Sequence, residues 1–237
     1  MPKALWIILL VIVPILAFFI PGINIRRLSK SQTSGDTNAK DAVTDQLIQA
    51  VEKGLTGKII SLLEKGADIN AQNEYGETAL ISAALISAAS RGHTETVKVL
   101  VEFGADINAR NINGDNALRA AARHGHTETV RFLIDKNSHK DDQNTALILA
   151  AGEGHIKTME FLLHIGIDVN IRRRDGWKET PLISAAEFGK KKAVIYLLER
   201  GTDIDAVDSK GMTALDHADV NKRASIVKIL KKAVEVD

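Results

Sequence analysis

From Asp45 onward, apolar residues come in pairs of short segments divided by polar turns. The first segment of each pair carries Leu or Ile with small residues: LIQAV, LISAAS, LRAAAR, LILAAG and LISAAE. A glycine follows in the turn, at Gly54, Gly92, Gly125, Gly154 and Gly189, with spacings of 38, 33, 29 and 35 residues. The second segment is more uniformly apolar: IISLL, VKVLV, VRFLI, MEFLL and VIYLL. In Leu118-x-x-Ala121-Ala122 the spacing puts Leu and Ala on one helical face. The alanines let a neighbouring helix approach closely. A period near 33 with two short helices per unit predicts an all-α stacked solenoid.

The punctuation of each unit agrees. Gly66, Gly104, Gly166 and Gly201 follow the second helix, where a left-handed residue closes the last turn, and Asn137 holds that place in the third unit. Ten residues further on stand Gly76, Gly114, Gly176 and Gly211, which suit a turn protruding between units. Thr78, Asn116, Thr145, Thr180 and Thr213 then fall where the next first helix needs an N-cap.

A stretch such as GADINARNINGDNALRAAARHGHTETVRFLI resembles an ankyrin repeat, and six such units cover residues 45–237. The resemblance implies helix-turn-helix repeats with short hairpin-like fingers. It also implies a protein-binding function carried by fingers and first helices on the concave side. One departure concerns the histidine that usually follows Thr-Pro-Leu. Ile81, Arg119, Ile148, Ile183 and Asp216 stand there, so each cap residue is expected to work alone. In the last unit Asp219 replaces an alanine, Lys222 replaces the turn glycine, and the final helix is lysine-rich, as a solvent-facing terminal repeat requires.

The second unit contains LISAA twice in succession, at Leu80–Ala84 and Leu85–Ala89. Five extra helical residues turn the chain by about 140°, so both copies cannot face the same neighbour. One copy is expected to dock and the other to overhang or loop.

The first residues follow a different pattern. Ala4 to Ile20 is an uncharged run, ALWIILLVIVPILAFFI. As a helix it spans about 25 Å, close to a bilayer core of about 30 Å. The bulky Phe18, Phe19 and Ile20 crowd the place of a small-x-small cleavage site, which favours an uncleaved single-pass anchor over a signal peptide. The expected organisation is an anchor at 1–22, a basic juxtamembrane segment and flexible linker at 23–44, and the repeats at 45–237. Arg26, Arg27 and Lys30 outnumber the charges before the run and favour the cytoplasmic side for the repeats, a periplasmic or extracellular placement being the alternative.

Composition narrows the chemistry. Lys+Arg 31 against Asp+Glu 30 gives no general basis for nucleic-acid binding, and the lack of cysteine removes thiolate metal sites and disulfides. EKGLTGKII, residues 52–60, has the Gly-Lys pair of a phosphate loop but Glu52 in place of its first glycine and Ile59 in place of its Ser or Thr. Gly152 and Gly154 form a lone GxG. His93, His126 and His155 recur one repeat apart, about 10 Å in a helix stack, too far to share an ion. They read as structural turn residues, and neither a metal nor a cofactor site is expected.

Recognition of a protein partner remains. NIRRRDGWKETP carries Arg172, Arg173, Arg174, Trp177 and Lys178, and its loop is two residues longer than in the other units. Arg and Trp are the types most enriched at binding hot spots. Just upstream, DKNSHKDDQN shortens the preceding finger by four residues, leaving a notch beside a basic finger that suits an acidic segment of a partner.

Overall fold

The computed structural model describes residues 46–47, 49–50, 53–66, 93–110, 113–136, 138–174 and 176–235. The expected anchor and linker, the doubled LISAA, Thr78 and Asn137 lie outside these residues. Among the described residues ten helices can be delimited, residues 46–47 and 49–50 are helical as well, and there is no strand. The ten are α1 (Thr56–Glu64), α2 (Thr94–Glu102), α3 (Ala117–Arg123), α4 (Thr127–Asp135), α5 (Lys140–Glu153), α6 (Ile156–His164), α7 (Pro181–Glu187), α8 (Lys191–Leu198), α9 (Ala214–Val220) and α10 (Ala224–Val234). No helix among the described residues is long and apolar enough to cross a membrane.

The first helices α3, α5, α7 and α9 stack in one row, and the second helices α4, α6, α8 and α10 form a second row behind them. Alanine makes the close stacking possible. Ala120, Ala121, Ala122, Ala150, Ala151, Ala185 and Ala186 are all fully buried or nearly so. Between the rows lie Leu118, Leu133, Leu147, Leu162, Leu182 and Leu197, each shielded from water. Every such leucine contributes about 1.5–3 kcal/mol of burial.

The turn between the two helices of a unit is closed by one recurring bond. The backbone N–H of His126, His155, Lys190 and Arg223 reaches the carbonyl of Ala121, Ala150, Ala185 and Ala218, at 2.8–2.9 Å. This satisfies a carbonyl that the end of the first helix leaves over. The residue before each bond is left-handed: Gly125 at φ 76°, Gly154 at 80°, Gly189 at 75°. Lys222 takes the same conformation at φ 56°, so the last turn keeps its shape without glycine.

The turn residues also connect repeats. The His155 ring lies over Gly125, where an added Cβ would collide with its Nδ1, and its Nε2 is 2.9 Å from the Arg123 carbonyl. His93 covers Gly54 in the same way, while Lys190 and Arg223 lie against Gly154 and Gly189. His93 and His155 are therefore packing elements. A second link runs along the second helices. Thr56 and Thr96 pair through their hydroxyls at 3.1 Å, Thr94 and Thr129 at 2.8 Å, Thr127 and Thr158 at 2.9 Å.

The expected caps hold at Asn116, whose side chain accepts the Arg119 N–H, and at Thr180, which accepts from Ile183. Two expectations need correction. Thr213 does not cap alone: Asp216 returns a bond to the Thr213 backbone N–H at 2.8 Å, completing a capping box. Thr145 is not a cap at all. The shortened finger lets α5 begin at Lys140, so Thr145 lies within the helix and its hydroxyl donates to the Asp141 carbonyl at 2.8 Å. The helix therefore starts five residues before the expected cap position.

Candidate functional site: an arginine-lined cavity beside the long finger

The finger after α6 is braced at its base. The Arg173 N–H bonds the Glu179 carbonyl at 2.9 Å, and the Arg173 guanidinium meets the Glu179 carboxylate at 3.1 Å. Gly176 at φ 92° and Lys178 at φ 53° turn the tip. The three arginines line one cavity but bond three different partners. Arg172 donates forward to the Val207 carbonyl of the next finger at 2.8 Å. Arg173 pairs with Glu179 of its own finger. Arg174 reaches back to Asp141 on α5 at 3.2 Å.

The backward reach defines a cavity of about 200 Å³ lined by Arg110, Arg119, Asp141, Asn144, Thr145, Arg172, Arg173 and Arg174. Three segments supply the arginines: the finger before α3, α3 itself, and the finger after α6. Two of the lining arginines, Arg110 and Arg119, rest on Asp142, whose side chain is wholly buried beneath them. The carboxylate accepts from Arg110 Nη2 at 2.8 Å on both oxygens, from Arg119 Nε at 2.8 Å and from Asn116 Nδ2 at 2.7 Å. A carboxylate removed from water must be paired in this way, since burial without partners would cost several kcal/mol. Both guanidiniums also bond the Gly114 carbonyl.

Sequence reasoning identified the triplet but missed Arg110, Arg119, Asn116 and Asp142 as one network. A signal existed. Arg119 stands in the place of the family histidine, and Asp142 lies in the shortened segment one repeat away. An arginine in that place needs an anion, and Asp142 supplies it.

Trp177 is on the other flank of the finger. Its side is 56% exposed, its carbonyl accepts the Ser209 N–H at 2.9 Å, and Lys210 Nζ lies 5.4 Å above its ring. It is thus anchored on the next finger while presenting an aromatic face. With Arg123, Arg173, Glu187, Phe188 and His217 it lines a second cavity of about 350 Å³. Lys178, exposed at the tip, lines neither cavity.

Behind Trp177, His217 Nε2 and Asp208 Oδ2 are 2.9 Å apart. Burial pushes the Asp208 carboxyl up, but the Met212 N–H, the His217 ring and the Lys210 N–H outweigh it, and Asp208 ends below the usual carboxylate range. Asp216 is also lowered, chiefly by the backbone N–H and then the hydroxyl of Thr213, against a smaller opposing effect of burial. Both carboxylates hold the next finger and helix in place. Among the described residues no group of three or more His, Asp or Glu is placed to hold a metal ion.

Comparison with known proteins agrees with this architecture. The profile described as ankyrin repeats in three copies matches residues 85–173 and again 171–237, and that for ankyrin repeats in many copies matches 56–87. The chain is 33% identical over 108 residues to protein phosphatase 1 regulatory subunit 12A of Mus musculus, and equally to that of Rattus norvegicus. That match covers 46% of this chain and 10% of the relative. Over 65 residues it is 43% identical to the B-cell lymphoma 3 protein homolog of Mus musculus, which is 27% of this chain and 14% of that protein. The chain therefore matches about a tenth of the length of the curated relatives named first.

Proposed function

The chain belongs to the ankyrin-repeat family, and on that premise we propose that it is a non-catalytic protein-binding module, held at a membrane by residues 4–20, that captures an acidic segment of a partner protein. The observation that carries the reading is the convergence of five arginines on one cavity beside an exposed tryptophan. Arg172 and Arg174 are exposed and supply charge at the rim, and Trp177 supplies a rigid aromatic surface with its backbone already fixed. Arg173 is a brace for the finger, and Lys178 adds charge at its tip. The run 4–20 reads as a lipid-embedded helix, and Arg26, Arg27 and Lys30 favour the cytoplasmic side for the repeats. Nucleic acid is not the expected partner, since the chain's net charge is only +1.

The names of the first relatives favour a second reading. They are regulatory subunits of a phosphatase, and this chain would then be an accessory subunit of a membrane enzyme or transporter. A third reading, an exported soluble repeat protein, follows if the first residues are cleaved.

Affinity capture from detergent-solubilised membranes tests the leading reading. The full chain should retain a partner that the Arg172→Ala/Arg174→Ala variant loses, and retention should weaken as salt rises. Equal retention by the variant would move the binding surface elsewhere. Co-purification of an enzymatic activity would favour the accessory-subunit reading.

A further inference from the structure

We propose that the arginine-lined cavity is a receptor for a phosphorylated side chain of the protein partner, and that Asp141 is an internal carboxylate which the phosphate displaces. The inference rests on the reading of this face as the partner-binding surface and assigns the chemistry of the group it takes.

The charge count favours a dianion. Arg110, Arg119, Arg172, Arg173 and Arg174 line the cavity. Asp142 holds Arg110 and Arg119, Glu179 holds Arg173, and Asp141 meets Arg174. Among the described residues, five positive charges thus face three carboxylates. A phosphate monoester at neutral pH carries about −1.5 to −2, whereas one Glu or Asp of a partner brings a single charge.

Donor geometry points the same way. Guanidiniums enter from the finger before α3, from α3 and from the finger after α6, so they approach from three segments. A phosphate presents three terminal oxygens to such a set; a carboxylate presents two in one plane. Donors remain for it. The bonds of Arg172 and Arg174 among the described residues use Nη1 alone, and those of Arg119 use Nε and Nη1. Each guanidinium has five N–H donors. The buried Asp142 orients Arg110 and Arg119 in advance, so little side-chain freedom is lost when an anion arrives.

Asp141 is the movable member. Its ion pair with Arg174 joins side chains that are 55% and 77% exposed, unlike the sealed Asp142 below it. An exposed pair of this kind is held weakly. A stronger anion can therefore take Arg174 from it without disturbing Asp142.

The test is capture of degenerate peptide libraries on the immobilised full chain in mild detergent. One library has a fixed central phosphoserine, a second Ser and a third Glu. The phosphoserine library should be retained about tenfold more than the Ser library. Arg172→Ala/Arg174→Ala should abolish the difference, and Asp141→Asn should increase it. Equal retention of phosphoserine and Ser, or a decrease with Asp141→Asn, would overturn the proposal. Glu retained as well as phosphoserine would also overturn it, while leaving the acidic-segment reading intact; retention of none of the three would sink both. Inorganic phosphate titrated alone serves as a separate arm. If it binds as tightly as the phosphopeptides, the site takes the free ion and the assignment to a partner side chain fails.

Discussion

Replacing Asp142 by Asn tests whether the network beneath the lining arginines is built as described. The substitution keeps shape and removes one negative charge. It leaves Arg110 and Arg119 facing each other around a neutral amide, and one of the contacts at 2.7–2.8 Å must become donor against donor. Breaking a sealed ion pair from one side costs about 3–5 kcal/mol. Here the two guanidinium side chains are 37% and 18% exposed, so water reaches part of the stranded charge. The expected loss is thus about 2–4 kcal/mol. For a domain of this size it lowers Tm by about 5–15 °C. Urea unfolding followed by far-UV circular dichroism would show it as a lower midpoint at unchanged slope. Adding Arg119→Met to Asp142→Asn should recover part of the loss by removing a stranded charge. A loss below about 0.5 kcal/mol would refute the network, and no recovery in the double variant would place the cost in packing instead.

Four other outcomes follow from particular residues. Asp208 and Asp216 have lowered carboxyl pKa values in the fold, so their stabilisation is present above the ordinary carboxylate range and is lost as pH falls through the folded values. Unfolding midpoints should drop below about pH 4, and Asp208→Asn should flatten that drop; an unchanged profile would contradict the assignment. Gly125→Ala forces a Cβ against His155 at a left-handed position and should cost about 1–3 kcal/mol in the same assay, with the steric part relieved by His155→Ala. Deleting Leu85–Ala89 should leave stability unchanged or raise it by up to about 2 kcal/mol, and a large loss would show that all ten residues are packed. The full chain should stay with membranes through a carbonate wash, since Ala4–Ile20 is uncharged and long enough to span; release of intact protein would remove the anchor.

The repeat pattern was legible because it rests on local chemistry. Helical spacing, turn glycines and the caps Asn116 and Thr180 are set by residues within four positions of one another. The capping box of Thr213 was legible too, since Asp216 stands three residues on, but comparison with the family's histidine drew attention to what was absent. Thr145 misled for a different reason. Its position in the register matches a cap, yet shortening the finger moved the start of the helix back to Lys140. The cavity needed information that periodicity does not contain. Arg110 and Asp142 are 32 positions apart, and their meeting depends on how far one finger leans over the next helix. The arginine triplet was visible as composition, whereas its division among Val207, Glu179 and Asp141 depends on the twist of the finger.

The links between turns have a mechanical consequence. His93, His155, Lys190 and Arg223 each reach back over a single turn, and each threonine pair joins only adjacent repeats. Tension along the chain therefore loads one junction at a time. Pulled from its C-terminus, the array should peel rather than rupture, giving a saw-tooth force trace. Each tooth should release one repeat, about 33 residues or roughly 11 nm of contour. A protein tethered at one end and bound to its partner near the other would in that case yield gradually, as a spring with discrete coils.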